Sequence, residues 1–267
     1  MKILKNVFEL NKAVKNYKNV GFVPTMGGIH KGHVSLIKIS QKGNKETLVS
    51  IFVNPTQFNQ IKDFKNYPRN IIKDISILKK LKVNYLFLPE VNEIYKKKTK
   101  NFKLNKSDKI LCAKYRKGHF EGVLNVMNRL LSIVKSKNVF MGEKDFQQYM
   151  LIKRILGKKY KINIVGCPTI RENNKIALST RNKLLKKSSI KSASKIAIKL
   201  NKLKRLSQTN KSVDLSKCKD ELENKYKIKI DYLEFRDEKK LQLNNFRSKY
   251  RLFIAYYING VRLIDNF

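Results

Sequence analysis

The sequence predicts an α/β architecture, a parallel sheet with helices on both faces, followed by a smaller α+β domain. Three observations carry this reading. Short apolar, β-rich runs alternate with helically spaced segments through the first two-thirds of the chain. That alternation stops after about Pro168, where helices and then antiparallel-looking strands take over. A turn containing Gly27 and Gly28 joins the first of these strands to a helix, a junction that needs backbone freedom. The boundary falls at about 168–176 and separates a domain of residues 1–170 from one of residues 171–267.

Taken in order, strands are expected at 20–24, 47–53, 85–88, 138–141 and 162–165. Helical spacing marks 32–41 after the first strand and 70–81 after the second. It also marks 122–134 before the fourth strand and 145–156 after it. In sheets of this kind ligands bind beyond the carboxyl ends of the strands, in the loops leading into helices. The later part holds a charged loop, a Lys-rich helix at 188–206, a second helix near 213–226, and strands at 228–235, 252–258 and 261–264. The Lys-rich helix reads as an ordinary solvated helix in preference to a phosphate-binding face. No internal repeat is present.

Composition sets further bounds. The 267 residues include 60 Lys+Arg against 20 Asp+Glu, a formal net charge of +40, and a hydrophobic fraction of 42% that suffices for a core. Such a charge first suggests a nucleic-acid partner. Its distribution argues otherwise: residues 1–170 carry 35 cations and 10 acids, and residues 171–267 carry 25 and 10, so no segment concentrates the surplus. Lys supplies 49 of the cations and Arg only 11, although Arg is the better partner for phosphate and guanine. Asn and Ile are also abundant, 27 of each, and share A/T-rich codons with Lys, so compositional drift explains the charge better than a binding adaptation. Cys112, Cys167 and Cys218 are widely spaced, which fits neither a disulfide framework nor a zinc site. The first residues lack an apolar signal-peptide core, and no window approaches 18 uncharged apolar residues. A soluble, cytoplasmic protein with no membrane or specific nucleic-acid partner is expected.

The chemistry concentrates at strand ends. Two of the three histidines fall in His30-Lys31-Gly32-His33, directly after Met26-Gly27-Gly28-Ile29. A helix starting near Gly32 would turn its N-terminal amides and positive dipole end toward a phosphate, with both imidazoles beside it as donors. The i, i+3 spacing without H-E-x-x-H makes zinc a weak reading. After the second strand, Asn54-Pro55-Thr56-Gln57 is either a plain turn or a pair of amides suited to a small hydroxy acid. Arg116 and His119 precede a helix. Met141-Gly142-Glu143-Lys144-Asp145 follows the next strand, where Lys144 suits a phosphate and Asp145 either takes a ribose hydroxyl or caps the helix. The loop Leu178-Ser179-Thr180-Arg181 supplies two hydroxyls and a cation. An H-x-G-H tetrad, a basic-hydroxyl loop and an α/β framework together imply nucleotidyl transfer at the α-phosphate of ATP.

These segments resemble the pantothenate synthetase (pantoate–β-alanine ligase) family. The resemblance is carried by Pro24-Thr25-Met26-Gly27, His30-x-Gly32-His33, Ser50-Ile51-Phe52-Val53-Asn54-Pro55-x-Gln57-Phe58, Tyr67-Pro68-Arg69, Gly118-His119-Phe120-x-Gly122-Val123, Gly142-Glu143-Lys144-Asp145-x-Gln147-Gln148 and Leu178-Ser179-x-Arg181-Asn182. It runs from about residue 20 to the C-terminal residues. It implies a Rossmann-like N-terminal domain with a small C-terminal lid, a homodimer, and two steps through a pantoyl adenylate. ATP with Mg2+ would be the nucleotide, and pantoate and β-alanine the other substrates.

By similarity, ATP would meet Met26, Gly27, Gly28, Ile29, His30, Lys31, Gly32 and His33, then Gly142, Glu143, Lys144 and Asp145. Ile170, Leu178, Ser179, Thr180 and Arg181 complete that set. His33 would be the proton donor with His30 beside it, and Lys144 and Arg181 would neutralise phosphate. Gln57 and Gln148 would bind pantoate, with Gln57 also facing β-alanine. Thr180 stands where the family has Ser, Lys175 where a turn glycine is usual, and Lys117 where a proline is usual. Two other readings compete: another H-x-G-H nucleotidyltransferase, and a nucleic-acid-binding protein on a decayed enzyme scaffold. The glutamine loop weighs against the first and the evenly spread charge against the second.

Overall fold

The computed structural model describes residues 1–58, 61–96, 101–209, 213–243 and 248–267. The chain forms two compact units, Met1–Thr169 and Ile170–Phe267. The first is built on a six-stranded sheet of β1 (Lys2–Leu4), β2 (Val20–Thr25), β3 (Glu46–Ile51), β4 (Tyr85–Phe87), β5 (Asn138–Gly142) and β6 (Asn163–Cys167). Every pairing in it is parallel, in the order β1-β4-β3-β2-β5-β6. Parallel strands covered on both faces read as continuous apolar runs, and Val20–Thr25 and Glu46–Ile51 are buried almost throughout. Helices such as Lys31–Gly43 and Ile71–Lys80 bring Leu36, Ile37 and Leu78 onto Val23, Val49 and Leu86.

The strand order fixes where a ligand belongs. From β2 the chain steps to β3 and β4 on one side, then returns to lay β5 on the other. The crevice beyond the carboxyl ends of β2 and β5 is therefore the topological switch point of a Rossmann-like sheet. All five anticipated strands of this unit are present. β1 carries no detectable pattern of its own: it is three residues long, and two of them are exposed. The helix anticipated at 122–134 begins three residues earlier, at His119, because Gly118 takes a left-handed φ of 79° and turns the chain into it. The segment anticipated as one helix over 145–156 is helical at Phe146–Ile152 and continues as a π-helical turn over Lys153–Gly157.

The second unit packs helices Lys187–Leu206 and Leu215–Tyr226 against an antiparallel sheet of β7 (Lys229–Asp237), β8 (Tyr250–Ile258) and β9 (Val261–Asn266). Ile196, Leu200 and Leu222 meet Leu252 and Ile254 in its core. The Lys-rich helix is thus amphipathic, with its lysines outside. Arg171 ties the start of this unit to its last strand: its Nη1 donates to Asp265 Oδ2 at 2.7 Å and its Nη2 to Asp265 Oδ1 at 2.9 Å, a bidentate pair.

Lys175 turns the hairpin between Arg171 and Ala177 with a φ of 71°, a conformation that favours glycine. The departure from a turn glycine has therefore kept the left-handed backbone and added its steric cost. Lys175→Gly is expected to raise stability by about 1 kcal/mol. Urea unfolding followed by circular dichroism measures it, and an unchanged or lowered midpoint contradicts the strain.

Candidate active site

The turn after β2 accounts for its own amides. Thr25 Oγ1 donates to the Ser50 carbonyl at 2.8 Å and accepts from Gly27 N at 3.1 Å. Gly28 N and Ile29 N donate to the two carboxylate oxygens of Asp74, each at 2.8 Å. Gly27 and Gly28 have φ of 79° and 64°, the left-handed region that the turn requires.

His30 then caps the helix Lys31–Gly43. Its Nδ1 accepts from Gly32 N at 3.1 Å, and His33 Nδ1 accepts from His30 N at 3.3 Å, a reciprocal capping box made by two imidazoles. An imidazole nitrogen that accepts carries no proton, so each ring is neutral with its proton on Nε2. The rings lie 4.1 Å apart, centroid to centroid.

This geometry corrects one expectation. The amides of Gly27, Gly28, Ile29, His30 and Gly32 are bonded inside the protein, so they do not form the phosphate cradle that the glycines and the helix start suggested. Each imidazole thus keeps its proton on Nε2, and Lys31 is exposed on the first helical turn.

The loop after β3 holds the second group. Asn54 is buried; its Nδ2 donates to Gln57 Oε1 and to the Gly122 carbonyl, both at 3.3 Å, and its Oδ1 accepts from Tyr95 OH at 2.7 Å. Burial pushes the Tyr95 phenol up, which keeps it the neutral donor this bond needs. Gln57 Nε2 points at Met26 Sδ, 2.6 Å away, so the structure brings the β2 and β3 loops together.

His119 holds the backbone of this loop. Arg116 Nη1 can only donate, so His119 Nε2 accepts at 2.9 Å and its Nδ1–H donates to the Gln57 carbonyl at 2.8 Å. A Cβ on Gly122 would lie 2.4 Å from the Thr56 carbonyl oxygen, so the helix His119–Ile133 approaches this loop as closely as a backbone can.

Beyond β5, Lys144 is largely buried, with its Nζ 3.8 Å from Asp145 Oδ1. Asp145 makes no side-chain capping bond and is half exposed, which removes the capping alternative. Burial, and then Glu143, which lies against Gly166, push the Cys167 thiol up to about 11, so that sulfur is inert near neutrality. Gln148 is half-buried on the helix Phe146–Ile152, while neighbouring Gln147 turns inward to donate to the carbonyls of Asp108 and Ile110. A cavity of about 510 Å³ opens beside the β2 loop, lined by Met26, Gly27, Phe52, Arg69, Asp74 and Glu90 among others.

Ile170, Leu178, Ser179, Thr180 and Arg181 belong to the second unit. The Ile170 carbonyl accepts from Leu178 N at 2.9 Å, Ser179 Oγ accepts from Arg181 N at 3.3 Å, and Thr180 is buried with its extra methyl inside. Among the described residues no group of three or more His, Cys, Asp or Glu is placed to hold a metal ion, and no helix is long and apolar enough to cross a membrane.

Asp74 and Tyr95 carry no signal in the sequence, and Arg116 and His119 gain their tasks only from the folded contacts. Asp74 is an ordinary-looking acid inside a helix, and only the folded contact reveals it.

A parallel α/β fold with paired imidazoles and a lysine at its switch point defines a nucleotide-using enzyme of the H-x-G-H kind. Comparison with known proteins narrows this. Residues 2–267 match the family described as pantoate-beta-alanine ligase, and the chain belongs to that family. It is 39% identical to a pantothenate synthetase of Flavobacterium psychrophilum, over 97% of this chain and 98% of that protein. It is 40% identical to one of Francisella tularensis subsp. novicida, over 99% and 95%. Among solved structures, a pantothenate synthetase of Thermus thermophilus superimposes with a TM-score of 0.93 at 31% identity, covering 100% of this chain and 99% of the other. The Francisella tularensis ligase, solved in complex with beta-gamma ATP and beta-alanine, does so with 0.84 at 37% identity, covering 100% and 97%.

Gly122→Ala should destabilise the protein by roughly 1–3 kcal/mol, because the clash is with a backbone carbonyl that cannot step aside. A urea denaturation midpoint equal to that of the parent would refute the contact.

Proposed function

We propose that the chain joins pantoate to β-alanine with ATP, through a pantoyl adenylate, as its family membership supports. In the first step a carboxylate oxygen of pantoate bonds to the α-phosphorus, and the bond from that phosphorus to the bridging oxygen of pyrophosphate breaks. In the second, the β-alanine amine attacks the acyl carbon, loses a proton, and AMP leaves. The observation that carries this reading is the pair of neutral imidazoles locked in a reciprocal cap directly after the β2 turn.

Each reacting group has a fitting partner. The phosphorus gains negative charge as it becomes five-coordinate, and preorganised donors stabilise that charge without covalent chemistry. The neutral His30 and His33 rings supply two N–H donors at fixed spacing, and Lys144 supplies a cation from a largely buried position. Ser179 and Arg181 of the second unit are assigned to the same nucleotide, as are Leu178 and the Ile170 backbone. Asp145, free of capping duty, suits the ribose hydroxyls. Mg2+ enters as the ATP complex, held by phosphate oxygens and water.

Gln57 is assigned to pantoate and the adjoining β-alanine site, with Gln148 as a second pantoate ligand. A thioether is a weak acceptor, so a substrate hydroxyl or carboxylate would displace Met26 Sδ from Gln57 Nε2 at a gain. The reading includes a homodimer in the cytoplasm, and light scattering on the purified protein checks the dimer.

ATP–pyrophosphate exchange tests the whole. Exchange that requires pantoate is the expected result; exchange driven by a different acid, or none, sinks the reading. His33→Ala and Lys144→Ala are each expected to lower exchange far more than they lower the unfolding midpoint, and near-normal exchange in either removes that residue from the chemistry. Gln57→Ala should weaken pantoate use by roughly 5–150-fold, the worth of an unpaired hydroxyl in a closed site. An unchanged KM for pantoate would release Gln57 from that role.

A further inference from the structure

The turn that leads into the histidine pair is held by a residue outside the H-x-G-H motif. Asp74 sits in the first turn of the helix Ile71–Lys80 and is 3% exposed. Its two oxygens take consecutive amides, Gly28 N and Ile29 N, at 2.8 Å each. A Cβ placed on Gly27 would come within 3.0 Å of Asp74 Oδ2, so the carboxylate is also packed against the turn itself. The next residue after Ile29 is His30, whose own amide is held by His33 Nδ1. Shifting Ile29 therefore shifts both imidazoles.

A carboxylate is a costly choice at this place. A buried negative charge next to the binding loop for an anionic nucleotide opposes that binding by simple Coulomb repulsion. What it offers in return is acceptor capacity at both ends of one planar group with no donor. An asparagine would have to aim its NH2 at one of the two amides.

We propose that Asp74 is a positioning residue for adenylate formation: by gripping Gly28 and Ile29 it fixes the spacing and tautomers of His30 and His33. The claim rests on the adenylation reading for its consequence in catalysis, but its structural half stands apart from it. The test is Asp74→Asn in the full-length protein, read by pantoate-dependent ATP–pyrophosphate exchange and by 15N resonances of the ligand-free histidines. The chain has only three histidines, so these resonances are readily separated.

The expected result is a loss of about 100-fold in exchange kcat, of the size that a small misplacement of reacting groups produces, with a much smaller change in the KM for pantoate. The His30 and His33 signals should move from the Nε2–H pattern toward a mixture of tautomers, while His119 stays as it was. Wild-type exchange with unaltered histidine signals overturns the proposal, as does lost exchange with unaltered signals. Should the Asn variant fail to fold, Asp74→Glu keeps both acceptors and the charge on an arm one methylene longer. It is expected to fold, displace the two histidine signals and lose exchange; parental behaviour overturns the proposal equally. A parent protein lacking pantoate-dependent exchange refutes the ligase reading alone, since the histidine resonances still report on the coupling to Asp74.

Discussion

Backbone amides turned inward at the end of a buried parallel strand must find acceptors, and much of the first unit follows from how this is met. Thr25 takes Gly27, Asp74 takes Gly28 and Ile29, and the two histidines take the amides of His30 and Gly32. An unsatisfied buried N–H costs on the order of 1–3 kcal/mol, so these five bonds leave the turn few alternatives. The usual economy of a helix start, free amides offered to an anion, is replaced here. Each imidazole takes an amide on Nδ1, which leaves its proton on Nε2. In the proposed adenylation, phosphate meets side-chain donors whose position these backbone bonds fix.

The same device recurs one loop away. His119 is also held in a single tautomer, the opposite one, because Arg116 can only donate to Nε2 and the Gln57 carbonyl can only accept from Nδ1. Gly122 lets the helix that carries His119 lie directly on the Asn54–Gln57 turn, and Tyr95 closes it from another side through Asn54. Gln57 thus has its main chain pinned from behind, while its amide nitrogen faces a weak sulfur acceptor in front. Rigid support behind a reactive face is what orientation-dependent catalysis requires.

What the sequence could reveal follows this division between pattern and contact. Alternating apolar runs and helical spacing located the sheet strands from β2 to β6 because buried parallel strands leave an uninterrupted signature. β1 left none, being three residues long and half solvent-facing. Residues whose task is local and chemically distinctive, such as His30, His33, Gln57 and Lys144, stood out by type and spacing. Asp74 did not: its bonds are to amides 45 and 46 positions away, and no periodicity records such a pairing. The expectation that the loop amides would face a phosphate failed for the same reason. Composition shows that glycines permit a turn, and only the fold shows which acceptor the turn was built around.

The net charge of +40 is best understood against this background. Both units carry it at similar density, and the Lys-rich helix Lys187–Leu206 places its lysines outside an ordinary apolar face. Where charge is used for structure, the arrangement is specific and mostly made by Arg, as in the bidentate clamp of Arg171 on Asp265. Some lysines also pair, as Lys199 does with Glu221, but their even spread makes the surplus chiefly a diffuse field. Such a field attracts a polyanionic nucleotide at low ionic strength, and at 0.15 M it is screened beyond about 8 Å. Close to the switch point Lys144 is held in a largely buried position, where salt screens a charge much less. Drift in composition could load the surface with lysine because discrimination lies in the few groups whose partners the fold has already chosen.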